Sequence, residues 1–216
     1  LGSRPDRSRH ASCQHIPVIV RQNGRMSTQT LHDIFAVMAL IALLGAVSMV
    51  LAKFIPTVAC VRYLDALYRV RLQLAAIVAV TATCGSLWFS EYVGWNPCKF
   101  CWLQRVFMFS SAVILTIAAL RRDRGIKWYA GPLAGIGILL SSWHLLLEHG
   151  VVEDSKQCAA SVPCAVPNLI SFGGRDSMSN GPSSWFSVTL AVMAFSAFAA
   201  ILALLFVTEP LSTDTP

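Results

Sequence analysis

Five long apolar runs constrain this chain more than any other feature. They cover residues 34–51, 72–90, 100–120, 128–147 and 185–207. Each is close to the roughly 20 residues that an α-helix needs to cross a bilayer, and the first, at eighteen, lies near the lower limit. Inside hydrocarbon every backbone N–H and C=O must find its partner within the protein, which a helix does unaided. Composition agrees, with 55% hydrophobic and 13% charged residues and a mean hydropathy of +0.60. A soluble domain carries about 25% charged residues. The expected fold is an all-α integral membrane protein: a four-helix transmembrane bundle over 72–207 with an additional N-terminal apolar helix.

The segments between the runs set the orientation. Residues 1–32 are polar, Arg-rich and aperiodic, and read as a disordered tail. Residues 33–71 hold the extra apolar segment and a basic connection (52–71, with Lys53, Arg62, Arg69 and Arg71), expected to be partly helical and interfacial. Residues 148–184 form a polar outer loop, and 208–216 a short tail. The net charge of +6 is concentrated at the start. Setting residues 1–25 aside, with five Arg and one Asp, leaves +2, and the remaining basic residues lie mostly beside apolar runs. That pattern serves membrane orientation and argues against nucleic-acid binding. The loop 121–127 has four basic residues in seven and is expected to be cytoplasmic. Parity then puts 91–99 and 148–184 on the opposite, oxidising side, where disulfides persist. A spanning run at 34–51 would leave the Arg-rich tail outside, against this trend. Translation from Met26 with a true extra span resolves the conflict best. A re-entrant run is the alternative, and a cleaved signal peptide fits poorly because the run exceeds a usual signal core.

The chemistry centres on Cys98-Lys99-Phe100-Cys101, where a polar turn enters the third apolar run. Pro97 just before it suits a helix start. Backbone N–H groups and the positive end of the helix dipole then favour thiolate over thiol. Arg105, four residues beyond Cys101, shares its helical face and adds a fixed positive charge. Taken alone, a Cys-x-x-Cys pair also reads as half a zinc site or a structural disulfide. Haem attachment is excluded, since Trp102 stands where that motif needs His.

A second pair, Cys158 and Cys164, lies in the outer loop among Pro163, Pro167, Gly173 and Gly174. A loop of that composition can carry a disulfide between two positions, so a thiol relay fits better than a four-cysteine zinc site or a stapled loop; no metal site is expected. A relay needs an electron sink. With no nucleotide-binding glycine pattern and no haem motif, the sink is expected to be a lipid-soluble quinone. Arg105, costly just inside a membrane helix, could hydrogen-bond a quinone carbonyl; snorkelling to headgroups is its bland alternative. His144, comparably deep from the same face, could donate a proton or bind a carbonyl, or simply bond a neighbouring helix. Cys13, Cys60, Cys84, His10, His15 and His32 read as incidental, with Cys84 a small apolar residue within its span.

The stretch Pro97-Cys98-x-x-Cys101-Trp102-x-Gln104-Arg105-x-x-Met108-Phe109 resembles the DsbB family of disulfide-bond formation proteins, especially its BdbC-like branch. Trp143-His144 with Glu148, and Cys158 with Pro163-Cys164, are similar to later family features. The resemblance covers about 72–207 and does not account for the run at 34–51. It implies a thiol oxidase of the bacterial inner membrane, with both cysteine pairs on the periplasmic or extracytoplasmic side. Such an enzyme reoxidises a DsbA-like, thioredoxin-fold partner and passes two electrons to the quinone pool, ubiquinone or menaquinone. By position, Cys158 would receive the partner's thiolate, Cys164 would exchange with Cys98, and Cys101 would face the quinone. Arg105, Gln104 and His144 would bind the quinone. Two competitors are a quinone-linked oxidoreductase of the vitamin K epoxide reductase type, and a non-catalytic membrane scaffold stapled by disulfides or zinc. In the former type the Cys-x-x-Cys typically follows the loop pair, whereas here it precedes it.

Overall fold

Short polar side chains at the helix mouths decide where the elements begin, by accepting N–H groups that the helix itself cannot pair. The computed structural model describes residues 25–55, 57–152, 169–170 and 188–207. Helix α1 runs over Arg25–Phe54. Thr57 then caps α2 (Val58–Leu87), its Oγ1 accepting the Cys60 N–H at 3.3 Å. A single π-helical turn, Trp88–Tyr92, ends this helix. Cys98 caps α3 (Lys99–Arg121), which Arg122 closes in the left-handed conformation at φ 52°. One 3₁₀ turn leads into α4 (Lys127–Glu148). Strands β1 (Leu169–Ile170) and β2 (Val188–Thr189) pair antiparallel, and Thr189 caps α5 (Leu190–Leu205) through the Val192 N–H.

Helices α1, α2 with its terminal turn, α3 and α4 are long and apolar enough to cross a membrane, and α5 is a shorter apolar helix. At roughly 1.5 Å per residue, the 30 residues of α1 make an unbroken rod of about 45 Å, so a re-entrant segment is not what forms here. The chain therefore has the expected all-α membrane architecture, four helices plus an additional N-terminal one.

Two local expectations are corrected. Residues 58–71 are not a partly helical connection but the first half of α2: no Gly or Pro interrupts residues 58–84, and Arg69 pairs with Asp65 one turn back at 3.0 Å. The last helix starts at Leu190, not 185, because β-branched Val188 and Thr189 take extended backbone in a ladder. Cys84 faces outward and is exposed.

Helices consecutive in the chain run antiparallel. Phe35 near the start of α1 meets Gly85 near the end of α2, while Ser48 bonds Tyr63 at the other end. Arg105 of α3 reaches Ser86 of α2, Gln104 of α3 reaches His144 of α4, and Glu148 of α4 meets Thr189 at the mouth of α5. Arg71 closes the ring by donating to the Val207 carbonyl at 3.0 Å. Helices α2, α3, α4 and α5 thus form a four-membered ring, and α1 lies in the furrow between α2 and α5.

The interior is built from small residues. Ala75, Ala79, Ala112, Ala130, Ala134 and Ala197 are buried, whereas Leu44, Ile77, Leu120 and Leu139 face outward. In lipid, burying large apolar side chains gains little, so close backbone approach dominates. Gly137 is the extreme case: a Cβ there would run into the Phe198 ring. Gly135, by contrast, meets nothing within 4 Å.

Candidate functional site

The site is assembled at the end of the bundle where α2 stops and α3 starts. Gly94, at φ 77°, turns the chain in a conformation that other residues rarely adopt. Trp95 then stacks on Phe89 at 5.2 Å, fixing the approach to Pro97. Pro97 is not the first helical residue, as its chemistry suggested, but precedes the cap; Cys98 itself is the cap, and Lys99 the first residue of α3. The Cys98 sulfur accepts the Cys101 N–H at 3.2 Å, the thiol counterpart of an oxygen cap. Both cysteines are free thiols, with sulfurs 2.7 Å apart, so closing a bond near 2.05 Å requires sub-ångström movement.

The two sulfurs look in different directions. Buried Cys98 faces α4, with His144 Nε2 at 3.8 Å. Glu148 Oε1 lies 3.7 Å from the same ring nitrogen, and both side chains are almost fully enclosed. Thr189 Oγ1 donates to the other Glu148 oxygen at 2.8 Å. The Gln104 amide nitrogen lies 3.3 Å from His144 Nδ1; when it donates there, the ring proton sits on Nε2, toward Cys98 and Glu148. The Cys98 thiol is drawn well below the ordinary thiol range. The hydrogen bond from the Cys101 thiol contributes most, burial opposes it, and His144 and the Cys101 N–H add to it. The sulfur that the helix mouth favours as thiolate is thus Cys98.

Cys101 opens instead onto a cavity of about 240 Å³ between α1, α2, α3 and α5. Its walls are mainly apolar, and Gln104 and Arg105 lie on its border with Cys101. Arg105 does not snorkel away. Its Nε and Nη2 donate to the Ser86 hydroxyl and carbonyl, both at 2.8 Å, and its guanidinium lies 5.5 Å from the Trp102 ring centre. Those bonds hold the charge beside the cavity and leave Nη1 without a role in them. His144 is not among the residues lining the cavity; it reaches from α4 to Cys98. Gln104 touches both halves.

Cys158 and Cys164 lie outside the described residues. His32, read as incidental, packs against Phe89 and Trp95 at 5.1 and 5.5 Å. Ser86 and Thr189 escaped sequence reasoning, because nothing in a serine or threonine marks the helix it will meet. The signal for Glu148 was present, as it lies one helical turn beyond His144. The ligand atoms of Cys98, Cys101 and His144 lie within 4.8 Å of one another, a set that could hold a soft metal ion.

The family described as "Disulfide bond formation protein DsbB" matches residues 68–208, most of the chain, from within α2 to the end of α5. The chain belongs to the DsbB family. Among similar proteins, a "Probable disulfide formation protein" of Deinococcus radiodurans is 41% identical over 137 residues, covering 62% of this chain and 86% of that one. The "Disulfide bond formation protein C" of Bacillus subtilis is 39% identical over 104 residues, 47% of this chain and 75% of its own. A "Probable disulfide formation protein" of Metapseudomonas resinovorans is 40% identical over 104 residues, 47% and 72%. No solved structure matches the chain. Membership of the DsbB family supports a thiol-oxidase role in disulfide formation and a multi-pass membrane location.

Proposed function

We propose that the protein oxidises the dithiol of a thioredoxin-fold partner and delivers the two electrons to a membrane quinone. The observation that carries this reading is the divided outlook of the dithiol: Cys101 opens on an apolar cavity edged by Arg105, while Cys98 is turned away from it. The partner's thiolate attacks Cys158 of a Cys158–Cys164 disulfide, releasing Cys164 as thiolate. The freed Cys164 attacks Cys98 of a Cys98–Cys101 disulfide, and Cys101 leaves as thiolate toward the cavity. The partner's second thiol resolves its mixed disulfide with Cys158, and Cys158 then resolves the one between Cys164 and Cys98. The partner gains a disulfide, the outer pair is restored, and Cys98 and Cys101 hold the electron pair. A quinone takes up two electrons and two protons as the Cys98–Cys101 bond re-forms. Arg105, fixed by Ser86, favours negative charge at the cavity edge, and His144 with Glu148 handles the proton at Cys98. On this reading both cysteine pairs lie on the extracytoplasmic side of a bacterial cytoplasmic membrane.

The test mixes purified protein with a reduced thioredoxin-fold oxidase and quinone and follows quinone absorbance. The wild type should consume quinone in step with partner oxidation, and Cys101→Ser should not; unchanged turnover in that variant rejects the assignment. The trio Cys98, Cys101 and His144 favours a second reading, a metal-holding membrane scaffold. Stoichiometric zinc in protein purified without chelator, with no quinone consumption, would select it.

A further inference from the structure

The DsbB-family match begins at residue 68, yet one wall of the cavity beside Cys101 comes from α1, which precedes it. Phe35, Met38, Ala39 and Ala42 line the cavity. Their spacing of three, four and seven residues is that of one helical face. The other face turns outward, with Ile41 63% and Leu44 68% exposed. The contact is fitted at both ends. Phe35 lies over Gly85, where a Cβ would come within 3.0 Å of its ring, and meets Phe89 at 5.8 Å, while Ser48 and Tyr63 bond at 2.9 Å near the opposite end. Without α1, the furrow between α2 and α5 would open the cavity to lipid. With α1 in place, the space of about 240 Å³ is smaller than the roughly 300–1,000 Å³ of pockets that enclose a drug-sized ligand. It suits a single substituted ring with its tail leading out.

We propose that α1 is the specificity wall of the acceptor site, Ala39 and Ala42 admitting the quinone ring and Phe35 limiting its breadth. The inference rests on the quinone reading above. If that reading holds, enlarging Ala42 fills the site and trimming Phe35 widens it. Neither residue is bonded to Cys98 or His144, so exchange with the partner should be unaffected.

The experiment compares Ala42→Phe and Phe35→Ala with Leu44→Phe on the outward face of the same helix. Each is assayed with a short-tailed benzoquinone and a short-tailed naphthoquinone. Single-turnover exchange with the reduced partner, without quinone, reports folding and the relay. Ala42→Phe should raise the KM for both acceptors by at least about tenfold, as a mismatched apolar pocket does. Phe35→Ala should shift preference toward the two-ring acceptor. Leu44→Phe should change neither, and all three should exchange at the wild-type rate. Equal acceptor KM in Ala42→Phe and Leu44→Phe, or an unchanged preference in Phe35→Ala, overturns the role of α1 while the quinone reading stands. A wild type that exchanges with its partner but reduces neither quinone overturns both.

Discussion

At the scale of single residues, the site divides its work between two sulfurs of one motif. Cys98 collects hydrogen bonds from the Cys101 thiol, the Cys101 N–H and His144, and these stabilise its thiolate. A depressed thiol stays ionised as pH falls through the ordinary range near 8.5 and takes up its proton only below it. A reduced variant keeping only Cys98 and Cys101 should therefore retain the ultraviolet absorbance of one thiolate well into acid pH. His144→Ala should move that transition upward, and an unmoved midpoint would detach His144 from Cys98. Arg105 makes a separate prediction. Arg105→His should raise the quinone KM more than it slows partner exchange. Ser86→Ala, which removes the bond to Nε but keeps the carbonyl bond to Nη2 and the charge, should do the same more weakly. Slower exchange with normal quinone use in either variant would contradict the assignment. The reactive motif was legible because a cap, a dipole and an i to i+4 pair are all local. Ser86 and Thr189 were not, since their roles exist only once α2 meets α3 and α4 meets α5.

At the scale of elements, hydropathy counted the helices correctly but misplaced their ends. Capping by Thr57 and Thr189, not apolar content, sets the starts of α2 and α5. Nor could the sequence show where α1 packs, because Ala39 and Ala42 look no different from alanines facing lipid. Close approach at glycine was partly readable, and Gly137 is where it matters. Gly137→Ala would press a methyl group into Phe198 and should cost about 1–3 kcal/mol by overpacking. Gly135→Ala meets open space and should be nearly neutral. Thermal unfolding in detergent compares the two, and equal stability would show that α4 and α5 do not pack this tightly.

At the scale of the whole molecule, charge and chemistry separate to opposite ends. Arg71, Arg121, Arg122 and Lys127 lie at the end where α2 and α4 begin and α3 finishes, whereas Cys98, His144 and Glu148 lie at the other. By the positive-inside tendency, this separation supports the proposal that the dithiol faces outward. In a background lacking Cys13, Cys60 and Cys84, an impermeant maleimide added to intact cells under reducing conditions should reach Cys158 and Cys164. Added to inverted vesicles, it should reach neither them nor the Cys98 pair. Labelling of the 98/101 and 158/164 couples from opposite faces would contradict a relay between them.

The central claim is that Cys101 passes the electron pair into the cavity that Arg105 borders. Its most direct test is a single turnover in which reduced protein, with no partner present, is mixed with one equivalent of quinone. Loss of quinone absorbance and gain of the Cys98–Cys101 disulfide should proceed together, one for one, in the wild type, with neither occurring in Cys101→Ser. Quinone consumed at the wild-type rate by Cys101→Ser, or a disulfide formed while the quinone stays oxidised, would contradict it.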